Sequence, residues 1–327
     1  MKYGNFSQDG REFIIHHPVT PRPWANYLTN GRYCALISQT GGGYSFTGSS
    51  GYNRITRAHP SEMVLTDRPG RYIYIRDEDS GHFWTINWQP VQRPYESWEC
   101  RHGLGYTKIR SSVEGIDGEI TFFVPLEDEV EVWLVSIRNG SSRPRRLGIF
   151  TYVEWCLGSY IFDLLETSFA NLFKSVAFEG GAIIANMGLW SVGHRAARPH
   201  IPWNRHAFIG WSLPVTGFDG LRAEFIGPSR SLANPIALER GKPSDSQGHG
   251  QDAVGVLYGT LELAPGDAQF FTVIVGAPER REDVSTFLRK YRDPRIAEEE
   301  LGRVREFWDS YVNKVWVKTP DPEFDLS

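Results

Sequence analysis

The most informative segment for the fold class is Gly105-Tyr-Thr-Lys-Ile-Arg-Ser-Ser-Val-Glu-Gly-Ile-Asp-Gly-Glu-Ile-Thr-Phe-Phe-Val-Pro125. Polar and apolar residues alternate from Tyr106, as they do along a strand with one buried face. Turn-forming residues follow from Glu114, and a second strand-like run returns from Glu119. Two such runs around a short turn that contains glycine predict an antiparallel β-hairpin.

The same character holds for most of the chain. Between residues 12 and 276 the apolar runs are short, rich in Val, Ile, Tyr, Phe and Trp, and separated by Gly, Asn, Asp or Pro. No helical period of useful length occurs before Pro278, which argues against parallel sheets and doubly wound nucleotide-binding folds. The pattern therefore predicts an all-β fold, a large antiparallel β-sandwich over residues 1–277.

Two further pairs of neighbouring runs have turn residues between them. Asn139-Gly140 separates residues 130–138 from 147–155, and Pro265-Gly266-Asp267 separates residues 254–263 from 269–275. By the same reasoning we expect each pair to form adjacent antiparallel strands.

The chain becomes helical after Pro278. A first helix is predicted over 281–291, because Asp293-Pro294 stops helical geometry, and a second helix is predicted to begin near Arg295. The second helix carries one apolar stripe at spacings of four and three residues: Ala297, Leu301, Val304, Trp308, Tyr311 and Val315.

Two partner surfaces for this stripe remain open. It can fold back on the sandwich of its own chain, or it can belong to a connector that packs on a further domain. The segment from Lys318 to Ser327 resembles an extended lead into another domain, and this favours the connector. We expect a helical linker over 278–316 and, over 317–327, the truncated start of a further domain.

Composition excludes several classes of function. The net charge of −4, with scattered Lys and Arg, gives no basic surface for nucleic acid or an anionic membrane. No apolar run reaches the roughly 18 residues of a membrane helix, and we predict a cytoplasmic protein. The chain has three cysteines, Cys34, Cys100 and Cys156. Their wide spacing argues against a zinc site, and their odd number argues against a disulfide framework.

Few residues suggest catalysis. Gly41-Gly42-Gly43 lacks the Gly-Lys-Ser/Thr ending of a phosphate loop, so it is either a turn between strands or a loop that presents Tyr44 and Phe46 to a sugar.

The other candidate groups are weaker still. The spacing of the three histidines His194, His200 and His206 matches no zinc site. The acidic runs 77–79 and 127–129 lie in predicted turns, and no nucleophile motif is present. We assign no catalytic residue, metal ligand or cofactor.

Arg101-His102 is more informative. A guanidinium and an imidazole that lead into a strand can bind hydroxyls, phosphate or a carboxylate. They can equally anchor loops, with Arg101 paired to Glu96 or Glu99.

Several motifs occur in the order in which a known family has them. They are Tyr3-Gly-Asn-Phe-Ser-Gln-Asp-Gly-Arg-Glu-Phe-Ile-Ile, Thr20-Pro-Arg-Pro-Trp-Ala-Asn-Tyr-Leu, Gly42-Gly-Tyr-Ser-Phe, Tyr52-Asn-Arg-Ile-Thr-Arg, Pro69-Gly-Arg-Tyr-Ile-Tyr-Ile-Arg-Asp, Trp84 with Trp88-Gln-Pro-Val, Arg101-His-Gly-Leu-Gly-Tyr-Thr-Lys-Ile and Phe122-Phe-Val-Pro-Leu. Together they resemble the amino-terminal domain of the cellobiose and chitobiose phosphorylases, glycoside hydrolase family 94. The likeness is specific over the first 155 residues and weaker from 157 to 251.

The resemblance implies a galactose-mutarotase-like β-sandwich joined by linker helices to an (α/α)6 catalytic barrel, commonly in a homodimer. Glu306-Phe-Trp-Asp-Ser-Tyr is similar to the end of that linker, and Thr319-Pro-Asp-Pro-Glu-Phe-Asp-Leu to the segment before the barrel. The family's reaction is inverting phosphorolysis of a β-linked sugar of the glucose or N-acetylglucosamine type. Its general acid and most phosphate ligands lie on the barrel, so this chain alone is predicted to be inactive.

The substrate-binding candidates are Tyr44, Phe46, Arg54, Trp84, Trp88, Arg101, His102 and Lys174. Some cellobiose phosphorylases place an acceptor-binding arginine after a motif similar to Glu154-Trp-Cys. The matching stretch here, 168–175, has Lys174 as its one cation. Lysine binds as a point charge rather than as a planar fork, which implies a different sugar or linkage.

Two alternatives to this phosphorylase part remain open. The chain can be a carbohydrate-binding module in which aromatic residues stack on pyranose rings. It can also be a structural or dimerisation unit whose aromatic residues mostly belong to the core.

Overall fold

The computed structural model describes residues 3–188, 203–314 and 319–320, apart from the side chains of residues 60–62. In chain order the strands are β1 (Gly4–Phe6), β2 (Glu12–Ile15), β3 (Ala25–Thr29), β4 (Tyr33–Ser38), β5 (Ser45–Thr47), β6 (Arg54–Thr56), β7 (Tyr72–Asp77), β8 (Phe83–Thr85), β9 (Ser97–Gly103), β10 (Tyr106–Val113), β11 (Ile116–Phe123), β12 (Val130–Asn139), β13 (Arg145–Gly158), β14 (Lys174–Glu179), β15 (Ala182–Met187), β16 (Ala207–Trp211), β17 (Gly217–Leu221), β18 (Gly248–His249), β19 (Ala253–Leu263) and β20 (Ala268–Gly276). The helices are α1 (Pro60–Leu65), α2 (Tyr160–Leu165), α3 (Thr167–Asn171), α4 (Arg222–Ile226), α5 (Ile236–Arg240), α6 (Glu282–Lys290) and α7 (Pro294–Val312).

The strands form two sheets. The eleven-stranded sheet has the order β1-β2-β9-β10-β11-β12-β20-β16-β15-β14-β18. The nine-stranded sheet has the order β17-β19-β13-β6-β5-β4-β3, with β7 paired to β13 and β8 paired to β7. Every pair of named strands in the described residues is antiparallel. The predicted antiparallel sandwich is confirmed.

The hairpin predicted in the 105–125 segment is present as β10 and β11. Its register runs from Tyr106 opposite Phe123 to Val113 opposite Ile116, so only two residues form the turn. Glu114 and Gly115 both have positive φ, 52° and 73°. A two-residue turn of this kind matches the right-handed twist of its strands, which explains why the local sequence was sufficient for the prediction.

The other two predicted hairpins are wrong. Strand β12 pairs with β11 and β20 in one sheet, whereas β13 pairs with β19, β7 and β6 in the other. Likewise β19 and β20 lie in different sheets. Each pair is therefore an arch at which the chain crosses the sandwich.

The two arches are joined to each other by backbone hydrogen bonds. The Asn139 amide N–H donates to the Asp267 carbonyl at 2.9 Å, and the Gly266 N–H donates to the Asn139 carbonyl at 2.7 Å. The Asn139 side chain donates to the Leu263 carbonyl at 3.0 Å. Bonds between the two arches therefore add to bonds within each of them, such as the Asp267 N–H to the Ala264 carbonyl at 3.0 Å.

The main core lies between the two sheets. It unites residues of the eleven-stranded sheet, such as Ile109 and Val135, with residues of the nine-stranded sheet, such as Ile37 and Ile149. Several of the largest aromatic side chains are fully buried, among them Trp133. Burial of such apolar area is the main driving force for the fold.

The predicted helices are present. Helix α6 spans Glu282–Lys290, and the Asp293 side chain caps α7 by accepting from the Arg295 N–H at 3.0 Å, with Pro294 as the first helical residue. This is the boundary that Asp293-Pro294 predicted.

The apolar stripe of α7 is divided between two environments. Ala297, Leu301 and Val304 are buried against the outer face of the eleven-stranded sheet. Tyr311 is 58% exposed, and Val315 lies outside the described residues. The first half of the stripe thus folds back on its own sandwich, while the end of the described helix presents aromatic surface to solvent.

Candidate functional site

Three of the eight candidate residues lie together on the nine-stranded sheet. Phe46 of β5 pairs with Arg54 of β6, and the Tyr44 and Phe46 rings are 6.0 Å apart. The Arg54 guanidinium lies between two rings, 3.8 Å from the centre of Tyr44 and 4.0 Å from that of Tyr160. This is a double cation–π arrangement, and it ties α2 to the sheet.

The two tryptophan candidates are elsewhere. Trp84 of β8 is 1% exposed and belongs to the core between the sheets. Trp88 is half-buried, has a φ of 76° and packs against the same core. In this structure Trp84 presents no face to solvent on which a sugar could stack.

Arg101 and His102 lie on β9 in the eleven-stranded sheet. Arg101 donates to Glu99 at 2.6 Å and to Glu12 at 2.7 Å, so its positive charge is already paired with two carboxylates of the same chain. His102 Nε2 donates to the Trp24 carbonyl at 2.9 Å, which leaves Nδ1 to accept from the Thr107 hydroxyl at 2.9 Å. Both residues hold β9 to its neighbours, the anchoring role that the sequence left open.

The environment of His102 makes stability depend on pH. Burial lowers its pKa from 6.5 to about 4. As the pH falls, the unfolded chain takes up a proton first, so the stability that His102 provides is complete above pH 6.5 and is lost towards pH 4. We expect the wild type to lose about 2 kcal/mol more than His102→Gln over this interval. Urea unfolding of both proteins across the interval measures this difference, and parallel curves would contradict the assignment.

Lys174 is the first residue of β14 and has a side chain that is 0% exposed. Its ammonium donates to the Asp163 carboxylate at 2.8 Å and to the Trp155 carbonyl at 2.9 Å. In this structure it neutralises a buried acid rather than facing a ligand.

Lys174 is part of a larger buried ion network that the sequence analysis did not single out. Arg57, just after β6, donates from Nε and Nη2 to both oxygens of Asp163 at 2.8 and 3.0 Å. Its Nη1 donates to Glu154 of β13 at 3.2 Å and lies 2.8 Å from an oxygen of Asp252, which precedes β19. Arg57 therefore joins three segments of the nine-stranded sheet to α2.

The carboxylates of this network remain ionised. Burial raises the pKa of Asp163, but the charge of Lys174 and the hydrogen bonds from Arg57 outweigh it, so that pKa lies below its ordinary value. Burial also raises the pKa of Glu154, and the charges of Arg222 and Arg57 overcome it in the same way. Both acids therefore accept hydrogen bonds and do not donate a proton near neutral pH.

A cleft of about 350 Å³ opens beside the network. It is lined by Arg57, His59, Arg68, Pro69, Glu154, Thr167, Arg222, Arg230, Ser231, Leu232 and Asp252. Helices α3 and α4 each contribute one of these residues, Thr167 and Arg222. The cleft and the ion network together form the candidate functional site, which we call the arginine cleft.

One signal for this site was present in the sequence. Glu154 is a charged residue within a 14-residue strand that is otherwise almost entirely buried. An ionised residue at such a position needs a buried partner. The identity of that partner could not be read locally, because Arg57 lies 97 residues earlier.

The three histidines that match no zinc spacing are only partly within the described chain. His206 is described, whereas His194 and His200 lie outside the described residues. In the described ranges no group of three or more His, Cys, Asp or Glu side chains is placed to hold a metal ion. None of the helices in those ranges has the length and apolar composition that crossing a bilayer requires.

Comparison with known proteins identifies the family. The supersandwich domain of glycosyl hydrolase 94 matches residues 11–294. N,N'-diacetylchitobiose phosphorylase of Vibrio furnissii is 33% identical over 99% of this chain and 39% of its own length. Solabiose phosphorylase of Paenibacillus borealis is 30% identical over 97% of this chain and 40% of its own length. The chain thus spans about two fifths of these relatives.

Solved structures support the fold alone. A bacterial glucoamylase complexed with acarbose superposes with a TM-score of 0.50 at 6% identity, covering 93% of this chain and 40% of that one. The sequence matches lead to one assignment: the chain belongs to glycosyl hydrolase family 94, of which it contains the supersandwich domain.

Proposed function

We propose that the chain is the non-catalytic amino-terminal part of an inverting β-glycoside phosphorylase of the cellobiose or chitobiose type. The complete enzyme would convert a β-linked disaccharide or oligosaccharide and phosphate to a sugar 1-phosphate and a shortened sugar. One observation carries the proposal: the match to phosphorylases extends over nearly all of this chain but over only 39–40% of their length.

The acids of the arginine cleft support a non-catalytic role. An inverting mechanism needs a carboxylic acid that is protonated when it meets the glycosidic oxygen. Glu154 and Asp163 have lowered pKa values and are held by cations. They therefore lack the proton that this step requires.

Asp67 has the opposite property but is inaccessible. Burial raises its pKa to about 6, and it accepts hydrogen bonds from Ser38 and Thr40. It lies directly beneath the backbone, since a Cβ added to Gly42 would overlap with its Oδ1. A glycosidic oxygen cannot reach this carboxyl without rearrangement of the chain.

The exposed end of α7 supports a further domain as partner. Phe307, Tyr311 and Val312 are exposed large apolar side chains on its last two turns. An (α/α)6 barrel packed there would remove this apolar surface from water, and its exposure is otherwise unfavourable. A homodimer and a cytoplasmic location stay predictions from the sequence.

The proposed contribution to sugar binding rests on the residues nearest to solvent. Tyr44 and Phe46 are half-buried, Tyr27 of β3 is exposed, and Tyr52, two residues before Arg54, is exposed as well. Aromatic faces of this kind bind pyranose rings, so this group also favours the alternative of a carbohydrate-binding module.

Activity measurements test the proposal. We expect the purified chain to form no sugar 1-phosphate from phosphate with cellobiose or N,N'-diacetylchitobiose. We expect a chimera in which this chain replaces the matching segment of the Vibrio furnissii relative to form it. Product formation by the isolated chain, or a folded chimera without activity, would contradict the proposed role.

A further inference from the structure

The buried wall of the arginine cleft is electrically balanced. Three cations face three carboxylates: Arg57, Lys174 and Arg222 against Glu154, Asp163 and Asp252. Arg230, which also lines the cleft, is paired with Glu239. Arg68 is different, because no carboxylate in the described part of the chain lies within 4.0 Å of its guanidinium. The cleft therefore contains one positive charge that the described protein does not neutralise.

The Arg68 guanidinium is nevertheless held in one orientation. Its Nε donates to the Gln89 side-chain oxygen at 3.0 Å, and its Nη2 donates to the Pro90 carbonyl at 3.1 Å. Both acceptors are neutral, so they orient the group without cancelling its charge. A fixed and uncompensated guanidinium is suited to recognise an oxyanion by paired hydrogen bonds.

Arg222 adds donors to the same cleft. Its Nε donates to Glu154 at 3.2 Å, while its two terminal nitrogens have no hydrogen-bond partner among residues 3–188 and 203–314. The side chain is 39% exposed, so these nitrogens can meet a ligand that enters the cleft. Two arginines with unused N–H groups thus line one cavity of about 350 Å³.

We propose that the arginine cleft binds a small oxyanion, either inorganic phosphate or the carboxylate of an acidic sugar. Arg68 supplies the net charge and the orienting fork, and Arg222 supplies further donors. The site is formed entirely by the sandwich. This binding is separate from the proposed role of the chain in phosphorolysis. A finding that no oxyanion binds would therefore not contradict the proposed function.

Isothermal titration calorimetry of the whole chain at constant ionic strength tests the site. The ligands are inorganic phosphate and glucuronate, with glucose as the neutral control. We expect one or both anions to bind at millimolar concentrations and glucose to give no heat. Binding of phosphate alone identifies a phosphate site, and binding of glucuronate alone identifies a sugar-carboxylate site.

Substitutions locate the binding. Arg68→Gln removes the charge but leaves no carboxylate unpaired, so the variant should fold, and we expect its affinity to fall about tenfold or more. Arg68→Lys keeps the positive charge but not the planar fork of N–H donors, so we expect its affinity to lie between those of the wild type and Arg68→Gln. Arg110→Gln, an exposed arginine of the eleven-stranded sheet, is the matched control and should bind as the wild type does. No heat with either anion, or unchanged affinity in Arg68→Gln, would overturn the proposal.

Discussion

Replacement of Arg57 by methionine should lower the free energy of unfolding by about 3–5 kcal/mol, because it leaves buried carboxylates without their shared cation. The Arg57 side chain is 3% exposed and contacts Asp163, Glu154 and Asp252. Lys174 and Arg222 alone cannot balance three negative charges. Urea unfolding followed by circular dichroism at neutral pH measures the loss.

An exposed ion pair provides the control for Arg57→Met. Arg146 is 58% exposed and lies 3.7 Å from Asp79, which is also exposed. Such pairs contribute little because water solvates both charges, so Arg146→Met should leave stability unchanged within error. Equal stability of the two variants would mean that the carboxylates around Arg57 reach solvent or a proton without cost, contrary to the buried network.

The parts of the fold that sequence reasoning predicted correctly are those that local residues determine. The turn between β10 and β11 needs only Glu114 and Gly115 at positive φ. The Asn139-Gly140 and Pro265-Gly266-Asp267 segments are equally good turn formers but belong to arches. Their partners lie more than 120 residues apart, as the Asn139 to Leu263 hydrogen bond shows. No local pattern distinguishes a hairpin from an arch in that case.

The candidate site shows the same limit at the level of side chains. Tryptophan stacks on sugars, and this makes Trp84 a candidate, but the local sequence does not show whether its strand has a solvent-facing side. Lys174 is the only cation of the 168–175 stretch, yet it pairs with the buried Asp163, 11 residues earlier in the chain. Arg57 lay within a quoted motif, but its role depends on three carboxylates from three distant segments.

Glu131→Gln should cost a similar amount, about 3–5 kcal/mol, through a second buried charge pair that links the two sheets. Glu131 of β12 accepts from Arg71 Nε at 2.6 Å and from Trp133 Nε1 at 2.9 Å, and both members of the ion pair are 1% exposed. Arg71 immediately precedes β7 of the nine-stranded sheet. The glutamine keeps the shape of the side chain but leaves the Arg71 charge buried and uncompensated.

A double-mutant cycle separates the charge from the packing. Adding Arg71→Met to a Glu131→Leu variant removes both buried charges, and we expect it to recover a large part of the stability that either single change loses. Recovery should stay incomplete, because the Trp133 N–H and the Ser45 hydroxyl also lose Glu131 as acceptor, at about 1–3 kcal/mol for each buried group left unpaired. Losses that simply add in the double variant would contradict a direct Glu131–Arg71 interaction and would assign the cost of each change to packing alone.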